Sequence, residues 1–203
     1  MTRTLIPGVI AMAIVVVASN ILVQHQFGNW LTWGAFTYPF AFLVTDLTNR
    51  FYGREAARRV VFAGFVFGVI CSVVASQIVG EYGPLTTLRI AIGSGIAFLT
   101  AQLLDVRIFD RLRGGVWWRA PLASTVVGSA VDTALFFFIA FSGALVFLDP
   151  AEPNGWSREI VPLLGMGPAL PLWISLAIAD WGVKMALALV ALVPFGVFVK
   201  RHA

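Results

Sequence analysis

The sequence predicts an all-α integral membrane protein, a bundle of six transmembrane helices, and three observations carry that expectation. Of 203 residues, 59% are hydrophobic and only 12% charged, where a soluble domain carries about 25% charged residues. The apolar residues gather into six stretches, each near or above the roughly 20 residues that a bilayer crossing needs. The basic residues concentrate on alternate connections between those stretches, the asymmetry that orients multi-pass chains. With 17 Phe and 7 Trp in the chain and a mean hydropathy of +0.89, too little polar surface remains to cover a water-soluble globule.

Taken in order, the expected spans are Leu5–Gln24, Trp33–Asn49, Val60–Val79, Leu88–Val106, Leu122–Leu148 and Leu170–Val199. The first lacks a small-residue cleavage site and is followed by further spans, so it reads as a retained helix and not as a removable signal. The last two exceed the minimum length and are expected to tilt or to run into loops. Trp30 and Trp33 at one edge, with Trp117 and Trp118 at the other, fit interfacial aromatic belts. The long connection Asp149–Pro168, holding Pro150, Pro153, Pro162 and Pro168, reads as an outer loop able to cover an external opening. No internal repeat or soluble appendage is visible, so residues 1–203 form one transmembrane domain.

Lys and Arg set the orientation. Arg50, Arg54, Arg58 and Arg59 follow the second span, Arg107, Arg111, Arg113 and Arg119 follow the fourth, and Arg3, Lys200 and Arg201 lie at the two ends. Both termini are therefore expected in the cytoplasm, leaving only Arg158 and Arg89 toward the outside. The net charge of +4 is a topology signal on this reading, and no nucleic-acid partner is expected. A single cysteine, Cys71, excludes an intrachain disulfide or a thiolate metal site.

Small residues recur every fourth position: Gly64, Gly68, Ser72 and Ser76 in span three; Gly93, Ala97 and Ala101 leading to Asp105 in span four; Ser124, Gly128 and Asp132 in span five. Such stripes let helix backbones approach closely within a bilayer, and a tightly packed bundle accounts for them.

The informative residues are ionisable ones far from any loop, because a charge at the bilayer centre costs roughly 2.5–3.5 kcal/mol even on the lenient insertion scale. Asp132 in span five and Asp180 and Lys184 in span six qualify. At 1.5 Å per residue, Asp132 lies roughly 15 Å and Lys184 roughly 20 Å from the cytoplasmic ends of their spans. An Asp132–Lys184 pair is expected, with Asp180 one turn from Lys184 competing for it. Two carboxylates for one ammonium leave one acid short of a partner. The sequence leaves open whether these three bind a substrate or only pair among themselves.

Asn20, Gln77, Arg89 and Ser94, with Gln24, form a second polar layer nearer the outside, where Tyr38 and Trp173 offer flat stacking surfaces. Asp46 and Arg50, four apart, read as a helix-end pair with Asn49, and Gln102 and Asp105 as a similar inner group, both structural or gating. The chain lacks GxxxxGK[ST] and HExxH, and its histidines, His25 and His202, lie at opposite ends of the bundle. Gly93–Ser94–Gly95 thus has no histidine at its depth for a nucleophilic dyad, and Lys184 beside Asp132 and Asp180 argues against an aspartate acid–base pair. A transporter or transporter subunit is expected, with no catalytic residue, cofactor or metal.

Three strings sharpen this. TYPFAFLVTDLTNRFYG at 37–53, RIAIGSGIAFLTAQLLDVRIFDRLR at 89–113 and WWRAPLASTVVGSAVDTALFFFIAFSG at 117–143 resemble the queuosine precursor transporter family, once grouped as vitamin-uptake-like transporters. Asp180 and Lys184 fit its Asp-x-x-x-Lys pattern. The resemblance implies import of 7-cyano- or 7-aminomethyl-7-deazaguanine across a bacterial inner membrane for queuosine salvage. It also implies a fold resembling the six-helix substrate-binding subunits of energy-coupling-factor transporters. Those subunits often dock an ATPase through AxxxA in span one. Here Ala11 precedes Val15 and Ala13 precedes Val17, so a stand-alone carrier is expected. The alternatives are a binding subunit of a multi-component vitamin transporter and a non-transporting assembly factor. Oligomeric state, a homo-oligomer included, stays open.

Overall fold

In a medium without water every backbone N–H and C=O has to be paired within the chain, and apolar stretches of this length do so as helices. The computed structural model describes residues 5–80, 83–150 and 153–201; Arg3 and His202 lie outside them. Among the described residues there are seven α-helices: α1 (Ile6–Leu22), α2 (Gly34–Thr37), α3 (Phe40–Tyr52), α4 (Arg54–Gln77), α5 (Leu88–Leu112), α6 (Arg119–Phe141) and α7 (Leu172–Arg201). Three two-stranded antiparallel hairpins connect them: β1 (Gln26–Phe27) with β2 (Leu31–Thr32), β3 (Val79–Gly80) with β4 (Gly83–Pro84), and β5 (Ile160–Pro162) with β6 (Ala169–Pro171).

Four helices, α4, α5, α6 and α7, are long and apolar enough to cross a membrane, whereas α1 has 17 residues. The expected second span is broken. Pro39 has no N–H to offer and stands between the four-residue α2 and the 13-residue α3, leaving Tyr38 at the break. Gly53 ends α3 and starts α4 at φ 82°, a conformation that an L side chain resists. The expected span Leu122–Leu148 stops at Phe141. Ser142 turns extended, its Oγ accepts from Ala144 N at 3.3 Å, and Gly143–Leu148 continues as a 3-10 turn. Conversely, α4 begins at Arg54 and α5 runs to Leu112, so Arg54, Arg58, Arg59, Arg107 and Arg111 ride on helix ends and not in loops. Long basic side chains tolerate this because they extend their charge past the apolar boundary. The expected outer loop holds a 3-10 turn at Asn154–Arg158 and the β5–β6 hairpin.

Packing defines two ends. Arg50 Nη1 donates to Arg113 O at 2.8 Å and the Trp117 ring lies over Gly196, which brings the ends of α3, α5 and α7 together at a basic end. At the opposite end Gln24 Nε2 reaches Leu85 O, Asn154 reaches Thr87, and Trp30 lies over Gly165. One core joins Met12 and Val16 of α1 to Ala41 of α3, Val60 and Val61 of α4 and Phe98 and Val106 of α5. A second joins Phe109, Ala120, Phe195 and Val199 near the basic end, and a third packs Phe137 and Phe141 against Trp173 and Leu176. Large apolar side chains also face outward, among them Ile10, Ile14, Val66, Ile70, Val73, Leu189 and Val193, all more than half exposed. A continuous apolar exterior of this kind suits lipid, not water, and the chain is a membrane protein.

The most extensive helix contact is α5 on α6, and the small-residue stripes explain it. A methyl built on Gly128 would stand 2.9 Å from the Phe42 ring and 3.4 Å from Ala101 O and from Asp105 Cβ. Gly128→Val is therefore expected to lower the melting temperature in detergent, because overpacking a filled site costs about 1–3 kcal/mol. An unchanged melting temperature would show that α6 has room to move. The α4 stripe behaves differently. Only Gly64 is packed, 2.6 Å from Met12 Cγ as measured from its would-be Cβ, while Gly68, Ser72 and Ser76 border an open cleft.

Candidate functional site

The cleft has a volume of about 600 Å³ and lies between α1, α4 and the first half of α5. That is within the range of small-molecule sites, about 300–1,000 Å³. Its walls are mostly apolar, with polar points from Asn20, Ser72, Ser76, Thr87 and Ser94 and a ring face from Tyr38. The small residues of α4 keep it open, since a larger side chain at 68, 72 or 76 would fill it. Asn20 Nδ2 donates to Val16 O at 2.9 Å, one turn back, so its amide oxygen is the part left for another donor.

Tyr38 joins this cleft to a charged cluster. Its hydroxyl donates to Asp132 Oδ1 at 2.9 Å, across 94 residues of sequence. Asp132 Oδ2 accepts from Lys184 Nζ at 2.7 Å, and Lys184 pairs at 2.6 Å with Asp180 Oδ2 one turn away on α7. Thr133 closes the ring: its hydroxyl accepts from Lys184 at 3.0 Å and donates to Asp180 Oδ2 at 2.9 Å. The ammonium thus uses its three donors, and it also lies 5.3 Å from the centre of the Tyr38 ring. Buried ammonium and carboxylate groups are tolerated when paired and hydrogen-bonded in this way.

The cluster is not symmetric. The Asp132 side chain is 5% exposed and has both oxygens engaged, whereas that of Asp180 is 15% exposed and engages only Oδ2. Asp180 Oδ1 is the acceptor with capacity to spare, and the group as a whole carries two carboxylates against one ammonium. A ligand offering N–H donors or a positive charge suits that surplus.

Among the residues singled out in the sequence, Asn20, Tyr38 and Ser94 line the cleft, and Tyr38, Asp132, Asp180 and Lys184 form the charged cluster. Gln77 does not reach the cleft: it is exposed at the end of α4 and donates to Ser76 Oγ at 3.1 Å. Arg89 is fully buried and directs its guanidinium at the carbonyls of Ile139 and Ser142, closing the end of α6. It does so because α6 stops at Phe141 and leaves the Ile139 carbonyl without its helical partner, while the Ser142 carbonyl is shared with Leu145 N at 3.3 Å. Trp173 packs with Phe137 and Phe141 and not in the cleft.

The two inner groups merge into one. Asp46 does not pair with Arg50, whose guanidinium caps Arg113 O; Asp46 instead accepts from Ser124 and Thr125 of α6. Gln102 accepts from Thr45 at 2.6 Å, and Asp105 stands beside Asp46. Thr133 and Thr87 are not singled out by the sequence, which marks Ser72 and Ser76 only as small packing residues. For Thr133 the signal is its place beside Asp132, which turns it toward the same face of α7.

A cleft among apolar helices, with Tyr38 on its wall hydrogen-bonded to a buried charge cluster, fits the class of membrane transporters. The chain matches the family model for a putative vitamin uptake transporter over residues 32–199, and it belongs to that family. It is similar to the queuosine precursor transporter of Escherichia coli K12, 35% identical over 202 residues that cover 92% of this chain and 82% of that protein. A probable queuosine precursor transporter of Haemophilus influenzae is 39% identical over 145 residues, 66% of this chain and 60% of that protein. A protein of the same description from Bacillus subtilis 168 is 28% identical over 193 residues, 86% of this chain and 74% of that protein. No solved structure matches the chain. These relatives are named as transporters and not as enzymes, and this chain is a membrane transporter.

Proposed function

We propose that this chain imports a 7-deazaguanine precursor of queuosine, the 7-cyano or the 7-aminomethyl base, across a bacterial inner membrane. On this reading residues 1–203 are one domain that crosses six times, through α1, the broken α2–α3 segment, α4, α5, α6 and α7. Both termini lie in the cytoplasm, with the basic end of the bundle facing it. The observation that carries the reading is the continuity from the cleft through Tyr38 to Asp132, Lys184 and Asp180, in a chain similar over most of its length to queuosine precursor transporters.

The chemistry suits the ligand. A deazaguanine presents a planar face for Tyr38 or the phenylalanines beside it, and a two-donor edge of ring N–H and exocyclic amine. A carboxylate accepts such an edge as acidic side chains do with base-edge donors. Asp180 Oδ1 is free to do this, with Asp132 behind it holding Tyr38 and Lys184 in place; Asn20 and Ser94 serve the carbonyl oxygen and the ring. Bases without the exocyclic amine are rejected because a buried acceptor would be left unpaired.

Span one carries Val15 and Val17 where a docking motif would place alanine, which supports a carrier that acts without an ATPase partner. Purified protein reconstituted alone in liposomes is expected to move labelled base inward. Binding without movement would make it the substrate-binding subunit of a larger assembly, and neither binding nor movement would end the import reading.

A further inference from the structure

A second polar cluster lies toward the basic end, two helical turns from the first and outside the cleft. Asp46 on α3 is 2% exposed and Asp105 on α5 is 0% exposed. Ser124 Oγ and Thr125 Oγ1 on α6 donate to the two oxygens of Asp46 at 3.2 and 3.4 Å. Asp105 Cβ lies 3.4 Å from a methyl built on Gly128, one turn along α6 from Ser124, which sets its carboxyl beside Asp46 and Ser124, yet neither of its oxygens meets a donor in hydrogen-bonding geometry.

Two fully buried amides cross the same α3–α5 interface and are only half used. Gln102, one turn before Asp105, accepts from Thr45 while its Nε2 has no acceptor. Asn49, one turn after Asp46, donates to Val106 O at 2.9 Å while its Oδ1 has no donor. Each amide is anchored to the residue next to one of the two acids, Gln102 to Thr45 and Asn49 to Val106, and neither donates to the carboxyl pair. The two carboxyls are short of a shared proton or cation.

No basic side chain of the described residues supplies that charge. On α3, Arg50 is directed at Arg113 O. On α4, Arg58 pairs with Glu55, and Arg54 and Arg59 are exposed. Arg107 and Arg111 of α5, Arg113 just after it and Arg119 of α6 are exposed, with Asp110 bound to Arg113. On α7, Lys184 is taken by Asp132 and Asp180, and Lys200 and Arg201 are exposed. Helix α1 contains no titratable residue.

Two adjacent carboxylates away from water and without a cation do not both ionise. One proton held between them removes a charge and gives an unpaired Asp105 oxygen its bond. The space available favours a proton over a metal ion. The cavity beside Asp46 and Thr125 measures about 10 Å³ and is not lined by Asp105; it has room for about one water, so a metal ion there would find few oxygen ligands, whereas a proton needs no space of its own.

We propose that Asp46 and Asp105 are a proton-binding site, separate from the base site, through which import is coupled to the pH gradient. This rests on the import reading above. Helix α3 and the Tyr38–Pro39 break just before it supply the mechanical link: Tyr38 and Asp46 are eight residues apart, Pro39 caps the start of α3, and Phe42 between them packs on Gly128 of α6. A proton taken up from outside and released inside changes the pairing at Asp46, and the shift of α3 moves Tyr38 at the base site.

Two measurements test it. Infrared spectra of the purified protein near neutral pH are expected to hold a deuterium-sensitive protonated-carboxyl band that disappears in Asp105→Asn and in Asp46→Asn. In proteoliposomes with the membrane potential clamped, one unit of inward pH gradient is expected to raise base accumulation about tenfold for one proton per base. Asp105→Asn still binds the base but loses that stimulation. Absence of the band, undiminished stimulation in Asp105→Asn, or stimulation by a sodium gradient instead of a pH gradient each overturns the proposal. If the unmodified protein binds neither base, the import reading fails, and the infrared band still decides the proton site separately.

Discussion

Asp132→Asn is expected to abolish uptake of the base while leaving the protein inserted in the membrane at normal levels. The substitution keeps the shape of the side chain, and Lys184 retains Asp180 and Thr133 as partners, so the bundle has no strong reason to unfold. The loss falls on function. Asp132 accepts from both Tyr38 and Lys184; an amide supplies one acceptor in place of two and adds a donor facing one of those groups. Tyr38 is then released from the position that joins cleft to cluster. Disrupting a buried, hydrogen-bonded charge network typically costs about 2–5 kcal/mol in binding, so affinity falls by a factor of roughly 30 or more. Asp180→Asn is expected to abolish uptake by the more direct route of removing the acceptor proposed for the base. Normal uptake by both variants at matched protein levels would place the base elsewhere.

Lys184→Met is expected to give the largest loss of stability. Asp132 and Asp180 would stay behind with no cation, and stranding the partner of a buried ion pair costs about 3–5 kcal/mol. The triple variant with Asp132→Asn and Asp180→Asn is expected to recover most of the melting temperature, because no charge is then stranded, and to remain inactive in uptake. Thermal denaturation in detergent separates the two effects. If Lys184→Met alone melted like the unmodified protein, the ion pair would be solvated, contrary to its 5% exposure.

The fold class was legible because composition alone rules out a water-soluble globule and because apolar length maps directly onto helices. The break in the second span is less legible: Pro39 is in view, but a proline is tolerated inside membrane helices, and only the structure shows the helical bonds tightening there to Ala41 N on Tyr38 O and Phe42 N on Pro39 O. The sequence sets the end of α6 too late because Phe137 to Leu148 is apolar but for Ser142 and Gly143, and Ser142, extended and capping the 3-10 turn that follows, stops the helix. That misplacement also concealed what Arg89 does, since its carbonyl partners exist only if α6 ends where it does.

The candidate site divides the same way. Asp132, Asp180 and Lys184 stand out in sequence because ionisable groups in apolar spans are costly and so need a reason to be there. Thr133 does not, because threonine in a membrane helix ordinarily satisfies itself on its own backbone. For Asp46 and Asp105 the sequence offers a local companion each, Arg50 and Gln102, at helical spacing. Tertiary packing overrides both: Arg50 turns to the end of α5, Gln102 to Thr45, and the two acids meet across the α3–α5 interface. Such pairings depend on which faces of α3 and α5 meet, and that is set by glycine and alanine contacts far along the helices.

The central claim is that the cleft and the Tyr38-linked cluster hold a 7-deazaguanine base. Titration calorimetry of the purified protein with 7-cyano- and 7-aminomethyl-7-deazaguanine tests it most directly. The account predicts saturable one-site binding of at least one of the two, weakened in Tyr38→Phe and lost in Asp180→Asn, and no binding of a purine lacking the exocyclic amine. Binding of neither base to folded protein, or equal binding by the Asp180→Asn variant, would contradict it.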